Sequence, residues 1–347
     1  MKVGLVGLMG SGKSTLFRAI THSDGSGDPL RMVDVPDERV DRLSKIFNPK
    51  KTIHAKVDVE DFGGIGGDSR TEVNLMAQIR DTDALAIVLR AFESPSYPYD
   101  KPEVDIARDL EALISSFQVA DFVMIETRIA RLEKTVNKPT KTQERDKKEL
   151  ELLVKLKEAL EGGSRLEDLS LRASDEEMIR GFRFLTQKPT LIVINLPDEG
   201  ADEAALDALI PAAFKRRIVL RGALEAEILQ LDAEDAAVFM EEYGLEAPAR
   251  ATFVAALYEV LGLCSFFTVG EDECRAWTIS RTASAIEAAG AIHSDIQRGF
   301  IRAEVTPYED LLATGGMREA KAAGHQRLEG KDYPVKDGDI VHFRFSV

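Results

Sequence analysis

The sequence predicts an α/β fold on a mostly parallel sheet, with an inserted helical hairpin and a separate α+β module towards the C-terminus. Three observations carry this reading. An apolar stretch of strand length, Lys2–Gly7, runs into the pattern G-x-x-x-x-G-K-S at Gly7–Ser14, then into a helical stripe of Leu16, Phe17, Ala19 and Ile20. Three later runs, Ala84–Leu89, Thr190–Ile194 and Arg217–Leu220, have the apolar character of parallel strands covered on both faces. Between the first and second of these lie two long charged helices, and after Ser265 the pattern turns to short strands and small helices.

The strand–glycine loop–helix context is that of a phosphate-binding loop. Glycines let successive backbone N–H groups curl around a polyphosphate, and the helix N-terminus adds partial positive charge. The candidate contacts are Gly7, Met9, Gly10, Ser11, Gly12, Lys13, Ser14 and Thr15. Lys13 is expected to reach the β and γ phosphates, and the Ser14 hydroxyl to ligate Mg²⁺.

After the first helix, His22–Pro29 is rich in Gly, Ser, Asp and Pro, which reads as a mobile loop where a first nucleotide switch would sit. A helix through Val40, Leu43 and Ile46 follows, then a strand at Ala55–Val59 leading to D-x-x-G at Asp61–Gly64. There a carboxylate can hold a Mg²⁺-bound water and the Gly64 N–H can sense a γ-phosphate. Residue 65, where Ras-like GTPases carry a water-orienting Gln, is Ile65, which cannot orient water by hydrogen bonding. The loop Gly63–Asp68 is expected to be flexible, as a second switch.

The long helices form an antiparallel arm. Leu110, Leu113, Phe117, Ala120 and Met124 give one stripe, and Phe122, Ile125, Ile129, Leu132 and Val136 continue on a shifted one. Leu150, Leu153, Leu156 and Leu160 mark the returning helix, and the high Lys/Glu density reads as a solvated face. Ser174–Glu177 reads as a capping box opening a further helix. In an open parallel sheet, ligands bind at the C-terminal strand ends. The phosphate loop, Asp61, Asn195 with Asp198, and Gly222 with Ala223 all fall there. Two helices, around Ala233–Tyr243 and Pro248–Leu261, precede the C-terminal module. In its last strand, alternation puts Val341, Phe343 and Phe345 on one face, and Trp277 is read as core.

The net charge of −15 opposes coating of the whole surface by nucleic acid. The acidity is uneven: residues 264–347 carry ten Lys/Arg against thirteen Asp/Glu, which permits local RNA contact there. Only Cys264 and Cys274 occur, with no metal-ligand spacing, which fits a reducing cytosol. No apolar run is long enough for a membrane span, and Met1 leads straight into a strand rather than a signal peptide.

The chain resembles the YchF-type, Obg-like ATPase family of translation-factor P-loop proteins over nearly its whole length. The resemblance rests on Gly12–Phe17, Val33–Asp37, Ile79–Ala84, Arg275–Thr278, Gly299–Glu304 and Leu328–Tyr333. It implies a P-loop NTPase domain (1–102 and 186–263), a helical-hairpin insertion (103–185) and a C-terminal TGS, or β-grasp, domain (264–347). It also implies a cytosolic ATPase that associates with ribosomes and has an apolar residue in place of the catalytic Gln, as Ile65 is. The sequence departs from the pattern in ways that mark a diverged paralogue. Met9, Gly10 and Ser11 replace the family's Pro-Asn-Val, and the first switch is shorter, with no counterpart of its Mg²⁺-contacting Thr, for which Ser23 or Ser26 would have to substitute. The second-switch loop is also shortened. The family's base-reading N-x-x-E is here Asn195-x-x-Asp198, whose Asp is the acid that reads guanine in GTPases.

Three functions fit: a slow ATP- or GTP-hydrolysing regulator with Lys13, Asp61 and Gly64 at the reaction centre; a nucleotide-holding sensor with negligible turnover; and a small-molecule kinase. The kinase reading lacks an evident acceptor-site base. All three use a purine nucleoside triphosphate with Mg²⁺, and the first has the ribosome or its RNA as partner.

Overall fold

Strand β1 (Lys2–Val6) has its last four residues buried, and the chain then turns into helix α1 (Lys13–Thr21). The computed structural model describes residues 1–23, 28–66, 69–95, 97–138 and 141–346. Contacts group the chain into two compact units, Met1–Arg31 with Asp58–Arg250, and Met32–Val57 with Ala251–Val347. The first elements after α1 are β2 (Leu30–Asp34), α2 (Glu38–Phe47), β3 (Lys51–Ile53), β4 (Lys56–Asp61), α3 (Ser69–Ile79) and β5 (Ala84–Arg90). The arm is α4 (Ile106–Thr135) and α5 (Gln143–Glu161), followed by α6 (Ala173–Ile179). The α/β pattern resumes with β6 (Thr190–Asn195), α7 (Glu203–Ala208), β7 (Arg217–Leu220), α8 (Gly222–Ile228), α9 (Ala233–Glu242) and α10 (Ala249–Val260).

The first sheet has the order β2-β4-β1-β5-β6-β7, and the pairings from β4 through β7 are parallel. Every residue of β5 and β6 is buried, as strands covered on both faces must be. Parallel pairing brings the ends of β1, β4, β5, β6 and β7 to one edge, where the candidate site lies.

Helix α4 is 30 residues long and serves two cores. Leu110, Leu113 and Phe117 pack with Leu89 and Ile194 of the sheet. Further along, Ile125 and Leu132 pack with Leu153, Leu156, Leu160 and Phe184 of the arm. The shift of stripe in the sequence is thus where the helix leaves one core for the other. Asp121 sits at that crossing, fully buried. It accepts from the backbone N–H groups of Leu185 and Thr186, from the Thr186 hydroxyl, and from the Arg80 guanidinium at 2.6 Å. A buried carboxylate is tolerated only when its lone pairs are so occupied. Lys188 beside it donates to the carbonyls of Arg80 and Thr82, and burial pulls its ammonium down to about 8. The stretch Ile79–Ala84 therefore has a structural task at the strand N-termini, opposite the candidate site.

The capping box expected at Ser174 is absent. Helix α6 starts at Ala173 with Arg172 in the cap position, which places Ser174 inside the first turn, where its side chain cannot serve as the N-cap.

The second unit continues with β8 (Leu263–Val269), β9 (Glu273–Ser280), α11 (Ala285–Ile292), α12 (Ser294–Arg298), β10 (Phe300–Pro307), α13 (Tyr308–Thr314), α14 (Met317–Ala322), β11 (Arg327–Glu329) and β12 (Asp339–Phe345). Its sheet has the order β11-β10-β12-β8-β9-β3. Antiparallel β8–β9 and β10–β12 pairs meet in a parallel β12–β8 contact, a β-grasp arrangement. A complete capping box, Ser284 with Glu287, opens α11. The core holds Phe266, Phe300, Val305, Val341 and Phe343, with Trp277 packed against it and donating its indole N–H to Thr268 at 3.0 Å. Phe345, expected on the same buried face, is 46% exposed, because β12 ends there at the margin of the sheet.

Residues 32–57 join this unit through β3, which pairs in parallel with β9. Asp37 caps α2 by accepting the Arg39 N–H, and its carboxylate takes the Arg39 guanidinium in a two-pronged pair. The same guanidinium reaches Asp337 at 3.0 Å. That gives the Val33–Asp37 stretch its structural reason. Among the described residues, no helix is long and apolar enough to cross a membrane.

Candidate nucleotide-binding site

The loop between β1 and α1 turns through two left-handed glycines, Gly10 (φ 78°) and Gly12 (φ 87°), a conformation that costs other residues energy. A Cβ on Gly7 would lie 2.6 Å from the Val88 carbonyl oxygen, so Gly7 allows close approach to β5. Lys13, the first residue of α1, is only 6% exposed. Its ammonium donates to the carbonyls of Leu8 (3.3 Å) and Gly7 (3.4 Å). Met9, Gly10 and Ser14 are exposed, leaving one side of the loop open. Thr15 is partly buried and its hydroxyl accepts from Arg18 at 3.4 Å.

Asp61 ends β4, and the Ser14 hydroxyl lies beside its carboxylate. Its Oδ1 is buried without a hydrogen-bond partner among the described residues, although a buried carboxylate oxygen normally has one. Burial raises the Asp61 carboxyl, while Ser14 and Lys13 oppose the rise. Burial likewise lowers the Lys13 ammonium, partly offset by Asp61. Hydroxyl and carboxylate oxygens are the hard donors Mg²⁺ prefers, and it usually takes one or two carboxylates with phosphate oxygens completing the set. Ser14 and Asp61, with the unpartnered Oδ1, fit that role.

The two glycine loops touch. A Cβ on Gly64 would lie 2.5 Å from Met9 Cγ and 2.9 Å from Met9 Cα. Ile65 donates its N–H to the Gly7 carbonyl at 3.0 Å and bridges Leu8 in parallel, and its side chain is 2% exposed within the sheet's core. Residues 24–27 and 67–68, parts of the two stretches read as switches, lie outside the described residues, so Ser26 goes with them. Ser23 is described, and its hydroxyl accepts from Thr21 at 2.9 Å.

Asn195 ties three strand ends together. It is 3% exposed, donates to the Ser11 carbonyl at 3.2 Å and accepts from the Gly222 N–H at 3.0 Å. Asp198 and Ala223 lie exposed beyond this junction. Of the residues singled out by sequence, the fold thus gathers Gly7–Thr15, Asp61, Gly64, Asn195 and Gly222 by contacts, while Asp198 and Ala223 adjoin through the chain. Arg90 escaped the sequence reading. It is 1% exposed, and its guanidinium donates to the Gly10 carbonyl at 2.7 Å. The signal available was a lone cation closing an apolar strand at its C-terminal end.

With this geometry, comparison with known proteins is decisive. The ribosome-binding ATPase YchF of Bacillus subtilis (strain 168) is 39% identical over 100% of both chains. The chain belongs to the YchF family. The YchF proteins of Escherichia coli O157:H7 and Haemophilus influenzae are 37% and 36% identical, each covering 100% of this chain and 99% of the relative. The family profile YchF-GTPase_C, described as a protein of unknown function (DUF933), matches residues 263–346. The structure of the Schizosaccharomyces pombe YchF GTPase matches with TM-score 0.87 and 27% identity, covering 99% of this chain and 97% of that one. The YchF fold, a P-loop NTPase domain with its helical insertion and a C-terminal domain, is therefore the fold of this chain.

Proposed function

We propose that this YchF-family chain binds a purine nucleoside triphosphate with Mg²⁺ and hydrolyses it slowly, as a cytoplasmic switch that docks on the ribosome. The observation that carries the reading is the cluster of buried Lys13, exposed Ser14 and half-buried Asp61 at an open phosphate loop, with one Asp61 oxygen unpartnered. Lys13 would hold the β and γ phosphates, and the backbone N–H groups of residues 10–15 would line the rest of the polyphosphate. Ser14 and Asp61 would hold Mg²⁺, which supplies neutralisation of charge on the phosphates. The Gly64 N–H would sense the γ-phosphate.

Ile65 is the reason for slow turnover. Its side chain packs into the core and carries no polar atom, so it cannot place a water for attack. Losing one well-placed transition-state contact typically costs ~10²–10³ in rate. The same burial supports the alternative of a nucleotide sensor with negligible hydrolysis. ATP is favoured over GTP because the bacterial relatives are named ATPases; Asp198 argues the other way, as does the name of the fission-yeast protein. Single-turnover hydrolysis of bound ATP and GTP, with competition binding of the two, tests the reading. We expect ATP to be preferred and turnover to fall well below ~1 s⁻¹, the low end of ordinary enzyme rates. Turnover near that value would overturn the reading of Ile65, and a clear GTP preference, erased by Asp198→Ala, would overturn the choice of base.

Ribosome docking would use the C-terminal unit, where acidity is weakest. Arg302 and Arg344 face each other across β10 and β12, both exposed, with Glu304 paired to Arg344. Two arginines directly opposite repel unless an anion lies between or above them. Replacing both by alanine in the full chain should reduce co-sedimentation with ribosomes severalfold and flatten its salt dependence. Undiminished pelleting of the double variant would show that this face is not the anchor.

A further inference from the structure

Arg90 closes the all-buried strand β5, and its guanidinium is spent wholly on backbone carbonyls. Nη1 donates to Gly10 at 2.7 Å, Nη2 to Tyr97 at 2.8 Å and Nε to Phe92 at 2.9 Å. The group is held between two aromatic faces, with its central carbon 4.2 Å from the Phe92 ring centre and 4.9 Å from that of Tyr99. Among the described residues, no carboxylate pairs with it. An isolated buried cation is costly, and carbonyl dipoles with ring faces compensate it only in part.

Two consequences follow for the phosphate loop. The Gly10 carbonyl, at the left-handed turn, is drawn to Arg90, so its dipole is not free to turn towards the open side of the loop. The charge of Arg90 also stands one peptide group from the loop that would receive a polyanion. The contacts continue outward: the Tyr99 hydroxyl donates to Asp109 at 2.5 Å, and Asp109 is a buried residue in the first turn of α4, held in turn by Arg108 at 2.8 Å. A Cβ on Gly10 would meet Arg90 and Tyr99 together, each at 3.5 Å, so the space beside Gly10 is bounded by the clamp.

We infer that Arg90 is a positioning residue for nucleotide binding: its fork fixes the Gly10 carbonyl and clamps the phosphate loop to Phe92, Tyr97 and Tyr99 and, through Tyr99 and Asp109, to the base of the helical arm. This rests on the triphosphate reading of the loop. Arginine is needed because its planar fork serves three carbonyls at once, whereas an ammonium is a point charge on a flexible stem.

The test compares Arg90→Met, Arg90→Lys and Tyr99→Phe in the full chain. Calorimetry with Mg-ATP and amide hydrogen exchange, without nucleotide and with it, are read side by side. Small displacements of a positioning group can cost ~10²-fold. Arg90→Met should weaken Mg-ATP by roughly 10- to 100-fold on that scale. Exchange of the amides of residues 8–12, Tyr97 and Tyr99 should speed up in the nucleotide-free protein, with residues 264–346 unchanged. Arg90→Lys should restore neither property, and Tyr99→Phe should speed exchange at the start of α4 while moving affinity less. If the unsubstituted protein bound no triphosphate, the functional reading would fail, yet exchange in the nucleotide-free variants would still decide the clamp. Unchanged loop exchange in a folded Arg90→Met protein, or full rescue by Arg90→Lys, would overturn the inference.

Discussion

Lys13→Ala is expected to remove most of the affinity for a Mg²⁺-bound triphosphate while leaving the fold intact. The ammonium is buried, held by two loop carbonyls and pulled down by desolvation. A buried charge contact of this kind is typically worth ~2–5 kcal/mol to a bound anion, which is about 30-fold to several thousand-fold in affinity. Stability should change little, because removing a buried cation also removes its desolvation cost. The measurement is calorimetric titration, supported by thermal unfolding with and without nucleotide. At one hundred times its dissociation constant, a ligand adds about 2.7 kcal/mol of stability to the protein that binds it. The variant should lose that gain at the same concentration. A folded Lys13→Ala protein that bound as tightly as the original would show that the loop does not grip phosphate through this side chain.

Gly12→Ala should be the most damaging single methyl in the chain's first unit. At φ 87° any Cβ is strained, and here it would sit 2.1 Å from Asn195 Nδ2. Asn195 has nowhere cheap to go, since it is buried and bonded to both Ser11 and Gly222. Backbone strain of ~1–3 kcal/mol and a broken buried hydrogen bond of ~1–3 kcal/mol together predict a loss of roughly 2–6 kcal/mol, with nucleotide affinity falling in parallel. Gly10→Ala is the control. Its φ of 78° is similar, but its nearest neighbours lie at 3.5 Å, so only the strain, about 1–2 kcal/mol, applies. Denaturant unfolding of the two variants checks this, and equal losses would mean that the Asn195 junction does not constrain the loop.

Much of the fold was legible because the parallel strands are buried on both faces. Continuous apolar runs such as Ala84–Leu89 and Thr190–Ile194 carry their own signal, as does a glycine loop between a strand and a helix. The stripe shift within α4 was legible as a pattern, though not as a passage between two cores. Short edge strands were not: β3 and β11 are three residues each, too few for periodicity to register. The Ser174 box failed for a local reason, since the helix begins one residue before it, at Ala173, and leaves Ser174 inside its first turn. At the candidate site, residue types with fixed offsets could be named from sequence, which is why Lys13, Ser14 and Asp61 stand together in both readings.

The sequence by itself determined the α/β class, the phosphate-loop motif and the family, because these depend on residue type, local spacing and similarity along the chain. Tertiary structure alone decided what long-range contact creates. It carried residues 32–57 into the C-terminal sheet, buried Ile65 against Leu8, and made Asn195 the junction of three strand ends. It also set Arg90 on the Gly10 carbonyl, 80 residues away in sequence. A side chain's hydrogen-bond partners at such separations are fixed by strand order and register, which no local pattern contains.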